Sequence, residues 1–231
     1  MRKISLGTTY YNCPELLSLF VSRNLPFVDE LLIVDDGSID RYSIDKHLKP
    51  SGKLKLLRVR DDIGFNSHGC RNLIMQQSSN DWVVLIDIDR EFKDPQYTFE
   101  SLKSQNLYTN IRYLFMVHTG NWGSNVHPAV NDYLINKELF FSAGGYDEEI
   151  AGQRWGDREF FKQLLTAGGK ESLLYNIDLI HTRKSSVLLN DNLVRSILDK
   201  PYASHQNLIQ QRIQQPDPNK PIVQFEWYQL S

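Results

Sequence analysis

Val83-Val84-Leu85-Ile86-Asp87-Ile88-Asp89 is an apolar run that ends in two acids one residue apart. An uninterrupted apolar run of this length, closed by polar residues, reads as a buried strand. Residues i and i+2 of a strand share a face, so Asp87 and Asp89 can converge on one divalent cation through hard oxygen ligands. An isolated D-x-D also marks many strand ends that merely meet solvent, so the segments around it have to decide.

Working back from it, residues 66–77 carry Cys70, Leu73 and Ile74 at helical spacing, and residues 54–59 read as a strand. Residues 31–34 form a second apolar run, which stops at Asp35-Asp36-Gly37-Ser38. Those four residue types favour turns, and a carboxylate there can accept a hydrogen bond from a nucleobase N–H or a ribose hydroxyl. Residues 3–8 read as the first strand. Asn12, Pro14 and Glu15 then mark a helix start, with Asn12 as the cap and Pro14 in the first turn. Strands alternating with helices predict β-α-β units around a largely parallel sheet. In such sheets ligands bind beyond the carboxyl ends of the strands, so the two acidic strand ends should face one cleft.

Working forward, residues 111–118 and 129–135 read as strands in an antiparallel arrangement. Residues 157–167 read as a helix with Phe160, Phe161, Leu164 and Leu165 on its buried side, stopped by Gly168-Gly169. Residues 173–181 return to strand character. Residues 192–213 read as helical with a break at Pro201, and Pro216, Pro218 and Pro221 predict a loose tail.

The chain has 231 residues, 41% hydrophobic and 23% charged, with a net charge of -2, so no global field favours polyanions. The first apolar stretch is too short for a secretory signal, and no segment reaches the roughly 18 apolar residues of a membrane span. The two cysteines, Cys13 and Cys70, have the spacing of neither a zinc site nor a disulfide framework. A soluble, cytoplasmic protein is expected.

Asp61-Asp62-Ile63-Gly64-Phe65-Asn66-Ser67-His68-Gly69-Cys70-Arg71-Asn72 is a polar loop entering a helix, where Arg71 and nearby amides can address a phosphate. With the first strand, VDDGS before it and D-x-D after it, the ordered set resembles the nucleotide-binding half of family 2-like glycosyltransferases with the GT-A fold. The likeness covers residues 3–92. It continues more loosely to about residue 184, through Gly144-Gly145-Tyr146-Asp147-Glu148 and Gly156-Asp157-Arg158-Glu159-Phe160.

The resemblance implies a single GT-A-like, Rossmann-like α/β domain with a mixed, mostly parallel sheet flanked by helices. Residues 1–92 would be the nucleotide-sugar half, 93–189 the acceptor half, and 190–231 a C-terminal helical extension and tail. It implies Thr8, Tyr10, Asp35, Asp36, Arg71 and Asp87 at the nucleotide, and Mn²⁺ or Mg²⁺ held by Asp87, Asp89 and His181. Asp157 would be the general base of an inverting transfer, although Gly156 stands where many members have Glu. The donor would be a nucleoside-diphosphate sugar. A saccharide, a glycolipid, a protein or a modified nucleobase would be the acceptor. Read as residues alone, Trp122 and Trp155 suit either stacking on a sugar face or a core or lid position. His68, His118 and His127 have no comparable pattern. The competing readings are a sugar nucleotidyltransferase, which would carry a Gly-rich loop and a basic residue after the first strand, and a non-catalytic carbohydrate-binding module.

Overall fold

The computed structural model describes residues 1–38, 51–119, 125–151, 156–181 and 222–230. Strands β1 (Ile4–Tyr10), β2 (Glu30–Asp35), β3 (Leu54–Val59) and β4 (Trp82–Leu85) alternate with helices α1 (Pro14–Asn24) and α2 (Ser67–Gln77). The chain continues through β5 (Arg90–Phe92), α3 (Pro95–Ser104), β6 (Ile111–Thr119), β7 (Asn125–Asn136) and α4 (Lys137–Ser142). A short 3₁₀ turn (Glu148–Ile150), α5 (Gly156–Thr166), β8 (Lys170–His181) and β9 (Trp227–Gln229) complete it.

All nine of these strands join one sheet, in the order β5-β8-β6-β7-β4-β1-β2-β3-β9. β1, β2, β3, β4, β6 and β8 run one way, and β5, β7 and β9 the other. The sheet is therefore mixed and mostly parallel, as expected, and β6 and β7 pair antiparallel.

Alternation along the central strands sends side chains into two cores. Ile4, Leu6, Leu31, Ile33 and Val84 pack with Leu16, Leu17 and Phe20 of α1 and with Phe99 and Leu102 of α3. Leu32, Val34, Val83 and Leu85 pack on the other face with Leu73 and Ile74 of α2, Phe140 of α4, and Phe160 and Leu164 of α5. Covering both faces explains why these strands read as continuous apolar runs.

Several local expectations change. Cys13 rather than Asn12 caps α1, without a side-chain cap bond; Pro14 follows in the first turn as anticipated. Asn12 itself sits at φ 48°, a left-handed turn that Asn tolerates. The D-x-D is not within a strand: β4 ends at Leu85, and Asp87 to Arg90 form a turn closed by Arg90 N–H donating to the Asp87 carbonyl at 3.0 Å. Within the part expected to be a loose tail, β9 extends the sheet edge beside β3. The helical reading of residues 192–213, and Trp122 and Trp155, lie outside the described residues.

Candidate active site

β2 and β4 flank β1 in parallel, so their carboxyl ends open side by side. The two acidic ends are nevertheless built differently.

At the end of β2, Asp35 is fully buried. Its Oδ1 accepts the Ser38 N–H at 2.9 Å, and its Oδ2 meets Arg58 Nη1 at 2.6 Å. Gly37 makes this turn possible, with φ at 83° and no room for a Cβ, which would lie 2.8 Å from Asp62 Cα. Both Asp35 oxygens therefore have partners inside the protein, which hold the turn. Asp36 follows it, 3% exposed, and its Oδ2 accepts the Asn66 N–H at 2.8 Å. Burial pushes its carboxyl up to about 7, against the pull of the Asn66 bond.

Thr8 and Tyr10 lie at the carboxyl end of β1. Both are 1% exposed, and Tyr10 packs in the α1-side core, since even-numbered β1 residues face that layer. Tyr11 is the half-buried side chain at this strand end, its O–H donating to Asp62 Oδ2 at 2.9 Å.

Beyond β4 the acids remain partly open, with side-chain exposures of 31% for Asp87 and 21% for Asp89. Asp87 N–H donates to Asp132 Oδ1 at 2.8 Å, while Arg90 Nε donates to Asp132 Oδ2 at 3.2 Å. A buried carboxylate from β7 thereby fixes the turn that carries the D-x-D, and burial followed by the Asp87 charge pushes the Asp132 carboxyl up to about 8. His181 ends β8 opposite Arg90, which brings its Nδ1 to 3.3 Å from Asp89 Oδ2. Burial, and then Arg90, lowers the His181 pKa, which favours the neutral ring. Burial, and then Asp87, raises that of Asp89.

Arg71 links these acids to the far wall. Its Nη2 bonds Asp87 Oδ1 at 2.7 Å, and its Nη1 bonds Asp157 Oδ1 at 2.9 Å and the Tyr146 hydroxyl at 3.1 Å. Burial opposes the Arg71 charge, but Tyr146, Asp157 and Asp87 outweigh it and raise its pKa well above the ordinary value. Tyr146 also donates to Asp157 Oδ1 at 2.8 Å and meets the Tyr133 hydroxyl at 2.8 Å. Its backbone is clamped on both sides by Asn72, which accepts Tyr146 N–H at 2.8 Å and donates to its carbonyl at 2.9 Å. The turn that delivers it needs Gly145, at φ 68° with a Cβ position 2.9 Å from Asn72 Oδ1. Asp157, the second residue of α5, keeps 23% of its side chain exposed.

Arg71, Asp87, Asp89, Asp157 and His181 therefore form one connected group drawn from four segments. Asp132, Tyr146 and Asn72 are the members the sequence reading missed. The aromatic-acid pair Tyr146-Asp147 inside GGYDE was a usable signal for Tyr146, whereas Asp132 sits in β7 with no local pattern around it.

Among the described residues, no three His, Cys, Asp or Glu side chains already stand as a metal cage. The donors nevertheless suit a divalent cation: two carboxylates and an imidazole at one rim, with the Asp87 charge opposing ionisation of Asp89. No helix among the described residues is long and apolar enough to cross a membrane.

No protein-family profile matches the chain. No curated protein matches it either. Solved structures do. GalNAc-T7 with UDP, GalNAc and Mn²⁺ superposes with a TM-score of 0.63 at 14% identity, over 93% of this chain and 54% of that one. Mannosyltransferase PcManGT from Pyrobaculum calidifontis, in complex with GDP-Man and Mn²⁺, gives 0.59 at 14% identity, over 79% and 57%. The chain thus spans little more than half the length of either protein and has the mixed α/β fold of these GT-A glycosyltransferases.

Proposed function

We propose that this chain is a glycosyltransferase that moves a sugar from a nucleoside-diphosphate sugar to an acceptor hydroxyl with inversion. The observation that carries this reading is the bridge made by Arg71 between Asp87, beside the D-x-D turn, and Asp157, at the start of α5. It joins a donor-side group and a candidate base across one cleft. The two similar structures were obtained with UDP or GDP-Man and with Mn²⁺, which agrees with a nucleotide donor and a divalent cation here.

Asp87, Asp89 and His181 are the residues that would hold Mn²⁺ or Mg²⁺, which when bound neutralises the departing diphosphate as a Lewis acid. Asp36 and Arg71 serve the nucleotide, Asp36 from the floor beside Asn66. Arg71 and Tyr146 both bond Asp157 through Oδ1, which fixes the carboxylate plane and leaves Oδ2 to take the proton of an acceptor hydroxyl. The antiparallel β6–β7 pair and α5 form the acceptor side, and the acceptor is a saccharide, as argued below.

Thermal melting with UDP, GDP and their sugars, with and without Mn²⁺, tests this reading. A cation-dependent rise is expected, since a ligand at 100 times its Kd adds about 2.7 kcal/mol to the native state. Absence of any rise across the nucleotide set would sink it.

A further inference from the structure

Gly156, the first residue of α5, has no room for a side chain. A Cβ there would lie 2.0 Å from His68 Cε1 and 2.3 Å from His68 Nε2. The imidazole edge of His68 therefore fills the space that a side chain at position 156 would take, next in the chain to Asp157. His68 is the second residue of α2 and is 4% exposed. Its ring stacks on Tyr146 with centroids 4.8 Å apart, and its Nδ1 is 2.9 Å from the Asp147 carbonyl oxygen.

A carbonyl oxygen only accepts, so Nδ1 carries the proton. Burial lowers the ring's pKa, with Asp157 pulling the other way, which favours the neutral form. Nε2 then holds a lone pair. Among the described residues, the Asp147 contact is the one hydrogen bond His68 makes. A lone pair with no hydrogen bond from the described residues, beside a candidate base, is an arrangement that a hydroxyl donor would complete.

The geometry points to His68 as an acceptor-recognition residue whose Nε2 takes a hydrogen bond from a second hydroxyl of a sugar acceptor, neighbouring the hydroxyl that Asp157 deprotonates. This rests on the reading of Asp157 as base. A proton-accepting carboxylate beside a fixed lone pair suits two adjacent hydroxyls, which a saccharide offers and a single serine or threonine does not. Packing against Gly156 sets the position of Nε2, so the glycine and the histidine act as a pair.

Two substitutions separate recognition from support. His68→Asn keeps a donor near the Nδ1 position and removes the acceptor at Nε2. His68→Gln places an amide oxygen near Nε2 and gives up the Nδ1 bond. Transfer is assayed with UDP- and GDP-sugars, Mn²⁺ and methyl glycosides of glucose, galactose and mannose, beside donor hydrolysis and melting with the free nucleotides. Expected is a rise of about tenfold in glycoside KM for His68→Asn, restored in part by His68→Gln, with donor hydrolysis and nucleotide melting shifts unchanged in both. The reverse order, with Asn active and Gln impaired, assigns His68 to support of Asp147 and overturns the proposal. So does wild-type protein that hydrolyses a donor but transfers to no glycoside. If wild-type protein responds to no nucleotide at all, the transferase reading itself fails.

Discussion

The two acidic strand ends, Asp35-Asp36 after β2 and Asp87-Ile88-Asp89 after β4, look alike in sequence and differ in what surrounds them. Asp35 is sealed, with an arginine and a backbone amide on its two oxygens, and Asp36 lies on the Asn66 amide. Asp87 and Asp89 stay partly open, and the charge of one opposes ionisation of the other. A carboxylate whose bonds are all made inside the protein holds a turn. Asp87 already gives one oxygen to Arg71, yet both acids stay partly exposed and can still take up a cation. Substitution should therefore cost function at Asp87 and Asp89 and folding at Asp35.

The largest functional effect belongs to the open end. Asp89→Ala should abolish the Mn²⁺-dependent part of the nucleotide melting shift. It should change unfolding free energy by no more than about 1 kcal/mol, since its partner His181 is well exposed. A retained cation-dependent shift would break the comparison at its centre. Across the cleft, Asp157→Asn keeps an oxygen for Arg71 and Tyr146 but cannot take a proton. Transfer should fall by about 10²–10⁴-fold with nucleotide shifts preserved, and wild-type turnover would end the assignment of Asp157 as base.

At the sealed end the loss should appear in stability. Asp35→Ala leaves the Arg58 guanidinium, 3% exposed, without its carboxylate. Removing one partner of a buried pair typically costs about 3–5 kcal/mol. Urea denaturation would show it as a lower midpoint. A loss below about 1 kcal/mol would mean that the turn tolerates an unpaired arginine, and the contrast between the strand ends would dissolve.

That contrast also separates what was legible in the sequence from what was not. The apolar runs that became β1 to β4, and the helical spacing of Cys70, Leu73 and Ile74 in α2, are local signals, and the parallel order followed from their alternation with helices. The helix α3 had a start signal too, Asp94 accepting the Tyr97 N–H with Pro95 in the first turn, but its interior offered only Phe99 and Leu102 to the core. β5 and β9, three residues each, exist because longer neighbours present an edge to pair with. Burial was the less legible quantity at the site. Asp35 and Asp36 are adjacent acids in the sequence, and only Arg58, 23 positions away, distinguishes the structural one. Asp132 and Tyr146 act on Asp87 and Asp157 from 45 and 11 residues away, distances that no spacing rule covers.

Asp36 gives the finest test, because its role turns on whether it is charged. Burial places its folded carboxyl at about 7, above the unfolded value of about 4. The folded state then binds an extra proton between those limits, so this group lowers stability as pH rises, by up to about 1.4 kcal/mol per pH unit, and the effect levels off above about pH 7. Asp132, held near 8, has the same sign and is present in both proteins, so the difference between wild type and Asp36→Asn isolates Asp36. In urea titrations from pH 4 to 8, the variant should match wild type at pH 4 and gain on it towards pH 7. A flat difference would mean that Asp36 is already ionised in the folded cleft. It would then accept a nucleobase N–H or a ribose hydroxyl across the whole pH range, without first losing a proton.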